Sequence, residues 1–369
     1  MSVELKLNLR NAWCDCIRGY AILLVCVAHA LYLEPLHSRW GGLTNYFKGD
    51  TGVFVFYVLS GFLVTGILFR EVEQHKEFGF RLRAMGHFFA RRIFRLQPSY
   101  LFFLTCYAVF ASKHNALSWW VLILPLSNWF SGPYITWHIK TLHIEESYYV
   151  FIAICCGIFW RSLKPLLWVM LVGAPLGRVL LFAMVKTGSE PARWLQDHYL
   201  PVEPFAVGGL LALYLEFVQN FWLMKLIMRK PAISFCLAML LLLIIGVLRP
   251  VKPFSYFLLF TWPMLFSVLS AAMILTGLQK ERFVFSAEWL RRLGLVSYTV
   301  YLFQQFVLGP YNEIYGNPFS WWAWIAVVAV IILLLPFWYA YIEKPLTDLG
   351  AILFPRMSKR LALAEAKSN

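Results

Sequence analysis

The sequence predicts an all-α, polytopic integral membrane protein with about ten transmembrane helices and both termini cytoplasmic. Three observations predict it. Hydrophobic residues make up 60% of the 369 residues and charged ones only 14%, a ratio that soluble domains of ordinary composition do not reach. Apolar runs such as 232–247 and 256–276 approach the roughly 20 residues needed to cross about 30 Å of hydrocarbon. Lysine and arginine collect between alternate runs, as the positive-inside rule expects. A barrel would show short alternating segments, so helices, which satisfy their own backbone groups, are the remaining way across.

In chain order the first span, 18–32, follows Lys6 and Arg10, and the second, 52–69, is closed by Arg70. The third, 93–110, opens after Arg91 and Arg92; the fourth, 144–159, lies between Lys140 and Arg161; the fifth, 166–185, between Lys164 and Lys186. The sixth, 204–217, starts at Pro204, and the seventh and eighth, 232–248 and 256–278, are bounded by Lys230, Arg249, Lys252 and Lys280. The ninth, 293–309, follows Arg291 and Arg292, and the tenth, 321–341, ends before Glu343 and Lys344. The run 119–130 is short, contains Pro125 and reads as re-entrant or interfacial. With that run not crossing and the N-terminus inside, inner segments hold 24 Lys and Arg residues and outer loops eight. Letting it cross would reverse most later charges.

One membrane domain is expected over 1–369, with spans from about 18 to 341, a short cytoplasmic tail at 343–369 and no appended soluble domain. The net charge of +14 is mainly a topology signal, because a nucleic-acid protein gathers its charge on a soluble face. Its second meaning is attraction of anionic lipid head groups or a phosphate-bearing substrate. The seven cysteines lie in or beside apolar runs without a spaced framework and read as packing residues, with neither disulfides nor a metal site expected. No small-residue cleavage pattern follows the first run, so it should remain as a helix.

Three places carry chemistry. Arg18 and His29 are eleven residues apart, nearly the same helix face and about 16 Å along the axis; ionisable residues in a span usually face a bundle interior or a cavity. The plainer reading of His29 is a neutral imidazole bonding between helices. Arg92 and Arg95 share a face at i, i+3 and suit a phosphate-rich ligand, since guanidinium forks grip phosphate in a bidentate manner. Arg91 reads instead as an interfacial anchor. Glu145 and Glu146 enter the fourth span and must be paired or face water. Such a carboxylate could orient His29, bind a hydroxyl-rich acceptor, or simply hydrogen-bond between helices.

In order along the chain, these segments resemble membrane acyltransferase family 3, which includes bacterial O-acetyltransferases acting on cell-envelope polysaccharides. Arg18-Gly19 through His29 resembles the family's Arg, ten residues, His signature. Gly52-Val53-Phe54-Val55-Phe56-Tyr57-Val58-Leu59-Ser60-Gly61-Phe62 resembles its Gly-Val-Asp-Leu-Phe-Phe-Val-Leu-Ser-Gly-Phe segment, and Arg92 through Arg95 with Pro98 its Arg-x-x-Arg motif. Thr141 to Tyr149, Ser297-Tyr298 to Leu302, and Ile342-Glu343-Lys344-Pro345 resemble three further family motifs. The chain departs from the pattern at Phe54, Lys140 and Gln304, where the family usually has Asp, Trp and His. The resemblance implies an essential Arg and His, and transfer from cytoplasmic acyl-CoA to a hydroxyl on the far side.

The reading that follows is a membrane O-acyltransferase of the cell inner (plasma) membrane. It would use acetyl-CoA as donor, with no permanently bound cofactor, and a glycan or lipid-linked saccharide as acceptor. His29 is the expected general base; Arg18, Arg92 and Arg95 would hold the donor, and Glu145 would orient His29 or the acceptor. Membrane lipid is an expected partner and nucleic acid is not. A transporter or flippase of lipid or glycan would also explain the spans, but the inverted repeats or matched broken helices it calls for are not visible. An acyltransferase acting on a non-glycan acceptor, or a non-enzymatic sensor, would share the same spans.

Overall fold

The computed structural model describes residues 12–31, 49–74, 77–110, 137–188, 201–248, 254–278, 285, 287–304, 325, 329, 333–334 and 336–356. Among them there is no strand. The helices are α1 (Ala12–Leu31), α2 (Asp50–Gln74), α3 (Phe78–Phe110), α4 (Trp137–Ile158), α5 (Leu163–Lys186), α6 (Glu203–Leu213), α7 (Leu215–Asn220), α8 (Trp222–Arg229), α9 (Pro231–Leu248), α10 (Phe254–Leu278), α11 (Glu288–Leu295), α12 (Ser297–Gln304) and α13 (Lys344–Leu353). A π-helical turn, Tyr339–Glu343, leads into α13.

Among the described residues, four stretches are long and apolar enough to cross a membrane by themselves: Ala12–His29, Asp50–Glu73, Trp160–Lys186 and Thr261–Leu278. The other expected runs are shorter, charged at one end, or interrupted. The sixth breaks at Tyr214 between α6 and α7, and the ninth at Val296 between α11 and α12. The run 119–130, both termini and most of the tenth expected span lie outside the described residues. Of the Asp50–Glu73 stretch 78% is buried inside the protein, against 11% of Trp160–Lys186, so α2 is central and α5 peripheral.

Without a hydrophobic force between helices in lipid, close packing by small residues takes over. The α2–α6 contact shows it: a Cβ on Gly61 would collide with the Phe205 carbonyl oxygen, and one on Gly208 with that of Val58. The same contact stacks Phe205 between Tyr57 and Tyr148, at 4.5 and 4.3 Å between ring centroids. Trp13 of α1 donates its indole N–H to the carbonyls of Met273 and Ile274 in α10, at 3.3 and 3.0 Å. Phe54, where the family usually has an acid, packs against Trp262 and Phe266 with centroids 4.7 and 6.1 Å away. An aromatic cluster occupies that position, and it carries no charge there.

Two charge features follow from burial. Arg178 of α5 pairs with the fully buried Glu203 of α6, so the basic residue deep in the fifth expected span is matched within the protein, as hydrocarbon requires. At the exposed start of α11, hydrogen bonds from Arg291 and Arg292 hold the Glu288 carboxyl down at about 2, and an anion there suits the helix N-terminus.

Candidate active site

Helices α3 and α4 run antiparallel. Arg92 of α3 lies over the ring of Tyr149, 4.4 Å from its centroid, while Tyr100, two turns later, meets Nε2 of the buried His143 at 3.1 Å. With α1, α2, α11, α12 and the π turn, these two helices wall one cavity of about 80 Å³. One water occupies roughly 10–15 Å³ on such a scale, so the space suits a narrow chain of atoms and not a nucleotide. Its residues fall on single helix faces: Thr141, Glu145 and Tyr149 at i, i+4, i+8 on α4; Arg92, Arg95 and Leu96 on α3; Val53, Phe56, Tyr57 and Ser60 on α2; Ser297, Tyr298 and Tyr301 on α12.

Arg18, Arg92, Arg95 and Glu145, expected from sequence to act together, all line this cavity. Arg18 is tied at 2.7 Å to Asp15 on its own helix, which fixes its fork at the cavity wall. Arg92 also lies over Phe88, at 5.5 Å. Arg91 faces away: it donates to the Phe354 carbonyl at 2.8 Å and pairs with Glu71 at 3.8 Å. Three residues separate Arg92 from Arg95, whereas Arg91 is turned about 100° off Arg92, and helical geometry sorts the three arginines accordingly.

The carboxylates are held by hydroxyls. Glu145 accepts hydrogen bonds from Ser60 and Tyr149, and Ser60 lies 3.4 Å from the same tyrosine hydroxyl. Glu343, buried at the π turn, accepts from Ser99 at 2.7 Å and from Thr299. Trp338 donates to Ser99 at 3.0 Å. At the far end Thr141 and Tyr301 meet at 2.5 Å, and Tyr57 donates to the Thr141 carbonyl at 3.1 Å. The cavity thus runs about 12 Å by helix rise, from an arginine end at Tyr149 to a hydroxyl end at Thr141.

His29 stands just past the hydroxyl end. Its Nδ1 is 3.0 Å from the amide oxygen of Gln304, one turn beyond Tyr301 on α12. The side chain against the imidazole ring is therefore Gln304, at the position where the family usually has His, while Glu145 is engaged by Ser60 and Tyr149. The side chain of Lys140 is not among those described. Sequence reasoning singled out neither the Ser60–Glu145–Tyr149 group nor the Ser99–Thr299–Glu343 group. The signal available was the i, i+4, i+8 spacing of Thr141, Glu145 and Tyr149 along the polar first half of α4. The pairing of Ser99 and Thr299, 200 residues apart at 3.2 Å, left no local trace.

Comparison with known proteins bears on this site. The family described as "Acyltransferase domain" matches residues 11–341, which include every residue of the cavity wall except Glu343. YrhL of Bacillus subtilis (strain 168), provisionally named a peptidoglycan O-acetyltransferase, is 27% identical over 385 residues, covering 96% of this chain and 57% of that protein. The peptidoglycan O-acetyltransferase OatA of Listeria monocytogenes is 26% identical over 374 residues, covering 92% of this chain and 56% of that protein. The chain spans a little over half the length of these curated relatives. No solved structure matches.

Proposed function

Given that this chain belongs to the acyltransferase-domain family and is an acyltransferase, we propose that it moves an acetyl group from cytoplasmic acetyl-CoA to a hydroxyl of a cell-envelope or lipid-linked glycan. The observation that carries the reading is that Arg18, Arg92 and Arg95 line one cavity, with Arg92 over Tyr149 at one end, the Thr141 and Tyr301 hydroxyls at the other, and His29 just beyond. Positive-inside topology turns the arginine end toward the cytoplasm, the compartment of the donor. Arg18, Arg92 and Arg95 take the anionic part of CoA, and the narrow cavity takes the arm that ends in the thioester. The relatives' names favour a peptidoglycan glycan as acceptor.

In the transfer, His29 removes the proton from the acceptor hydroxyl as its oxygen attacks the thioester carbonyl. A C–O bond forms, the C–S bond breaks, and the proton passes from His29 to the departing CoA thiolate. Glu145 holds Tyr149 and Ser60 in place along the donor's path. The test is acetyl content of envelope glycans from cells carrying the wild-type chain, His29→Gln or no copy. His29→Gln should lower transfer by about 10²–10⁴-fold at unchanged extracted protein and thermal stability. An active His29→Gln protein would exclude the base role.

A further inference from the structure

Gln304 ends α12 beside His29. Its amide oxygen lies 3.0 Å from Nδ1 of His29 and 3.6 Å from Sγ of Cys26. An amide oxygen only accepts, and a thiol donates, so two donors converge on that oxygen and Nδ1 carries the ring proton. In a neutral imidazole the lone pair then sits on Nε2. The Nε2 edge borders Gly49, where an added Cβ would stand 3.4 Å from that nitrogen. Gln304 is itself fully buried, and its amide nitrogen has no hydrogen-bond partner among the described residues. Buried donors are ordinarily paired. An apolar side chain of similar size would fill the site without an unpaired donor, so the amide is not there for packing.

We propose that Gln304 is the positioning residue for His29: its amide oxygen fixes the tautomer with the proton on Nδ1 and so keeps the basic lone pair on Nε2. This rests on the reading of His29 as general base. The logic is that of any catalytic imidazole oriented through its second nitrogen, with a neutral amide in the orienting place. A charged group that also acts on the ring is Asp50, at the start of α2.

Two measurements test it, on the full chain in detergent or liposomes. Nitrogen-15 shifts of labelled histidine, with His29 identified by its loss in His29→Gln, should show Nδ1 protonated and Nε2 bare; the opposite tautomer overturns the proposal without any assay. Transfer from labelled acetyl-CoA to isolated peptidoglycan glycan strands supplies the second. Gln304→Leu should lower kcat about 10-fold or more, while KM for acetyl-CoA stays within about twofold. Gln304→Glu puts a negative charge on the Nδ1–H, favours the imidazolium, and so should move the acid limb of kcat/KM to higher pH. Loss in the leucine variant with no shift in the glutamate variant marks a packing role and overturns the proposal. If the leucine variant does not fold, the glutamate variant's acid limb decides alone. Full activity and an unshifted profile in both variants, with His29→Gln inactive, removes Gln304 and leaves the base. An active His29→Gln removes both.

Discussion

Arg92 lies 4.4 Å over the ring of Tyr149, and the hydroxyl of that ring donates to Glu145. One residue thereby joins the cationic end of the cavity to its carboxylate, since a guanidinium binds a ring through its flat face and an anion through its edge. A phosphate arriving at the edge of Arg92 leaves the stacked face undisturbed.

Arg92→Ala and Arg95→Ala should raise KM for acetyl-CoA, by about 10- to 150-fold for a lost charge-assisted contact of roughly 1.5–3 kcal/mol. Arg92→Lys should not restore it, because an ammonium lacks the planar fork. Arg91→Ala, whose group is spent on Phe354 and Glu71, should leave KM unchanged. Steady-state kinetics against donor concentration checks all four, and equal tolerance would return the arginines to a topological role.

Glu145→Gln retains shape but cannot accept from Ser60 and Tyr149 with a full charge. Transfer should fall at constant protein level, and Ser60→Ala should fall less, because the Tyr149 bond survives. Comparable activity in both variants and the wild type would show the carboxylate to be dispensable; radiolabel transfer with a parallel melting curve reads it.

Thr299→Val should destabilise the fold. Its hydroxyl and that of Ser99 are donors to the buried Glu343, and a charged acceptor that loses a donor costs about 1.5–3 kcal/mol. The expected readout is a lower melting temperature in detergent; an unchanged one would mean that water replaces the hydroxyl.

Arg178→Ala leaves the Glu203 carboxylate buried without its partner and should cost about 3–5 kcal/mol. Adding Glu203→Gln removes the uncompensated charge and should recover much of the loss. A double variant no more stable than the single would assign the cost to lost packing of the arginine stem instead. Detergent melting of the wild type, single and double variants measures it.

Impermeant labelling should mark an engineered cysteine near Asn115 and not one near Gln74. The antiparallel course of α3 and α4 brings Phe110 and Trp137 to one side of the bundle, and the loop-charge skew predicts that side to be the outer one. The reverse labelling pattern would overturn the topology.

What the sequence by itself determined is what depends on nearest neighbours and composition. A chain 60% hydrophobic and 14% charged has lipid as its solvent, and lipid permits helices; periodicity of 3.6 puts Arg92 with Arg95 and turns Arg91 away. The same local reasoning picks out Arg18, Arg92, Arg95 and Glu145, which the fold gathers at one cavity. Only the tertiary structure decided which groups meet across helices. Glu145 is bound to Ser60, 85 positions earlier, and His29 to Gln304, 275 positions later. No pattern within one helix encodes such pairings, because they follow from how α1, α2, α4 and α12 pack, and that is set by close approaches such as Gly61 against Phe205 rather than by the polar residues themselves.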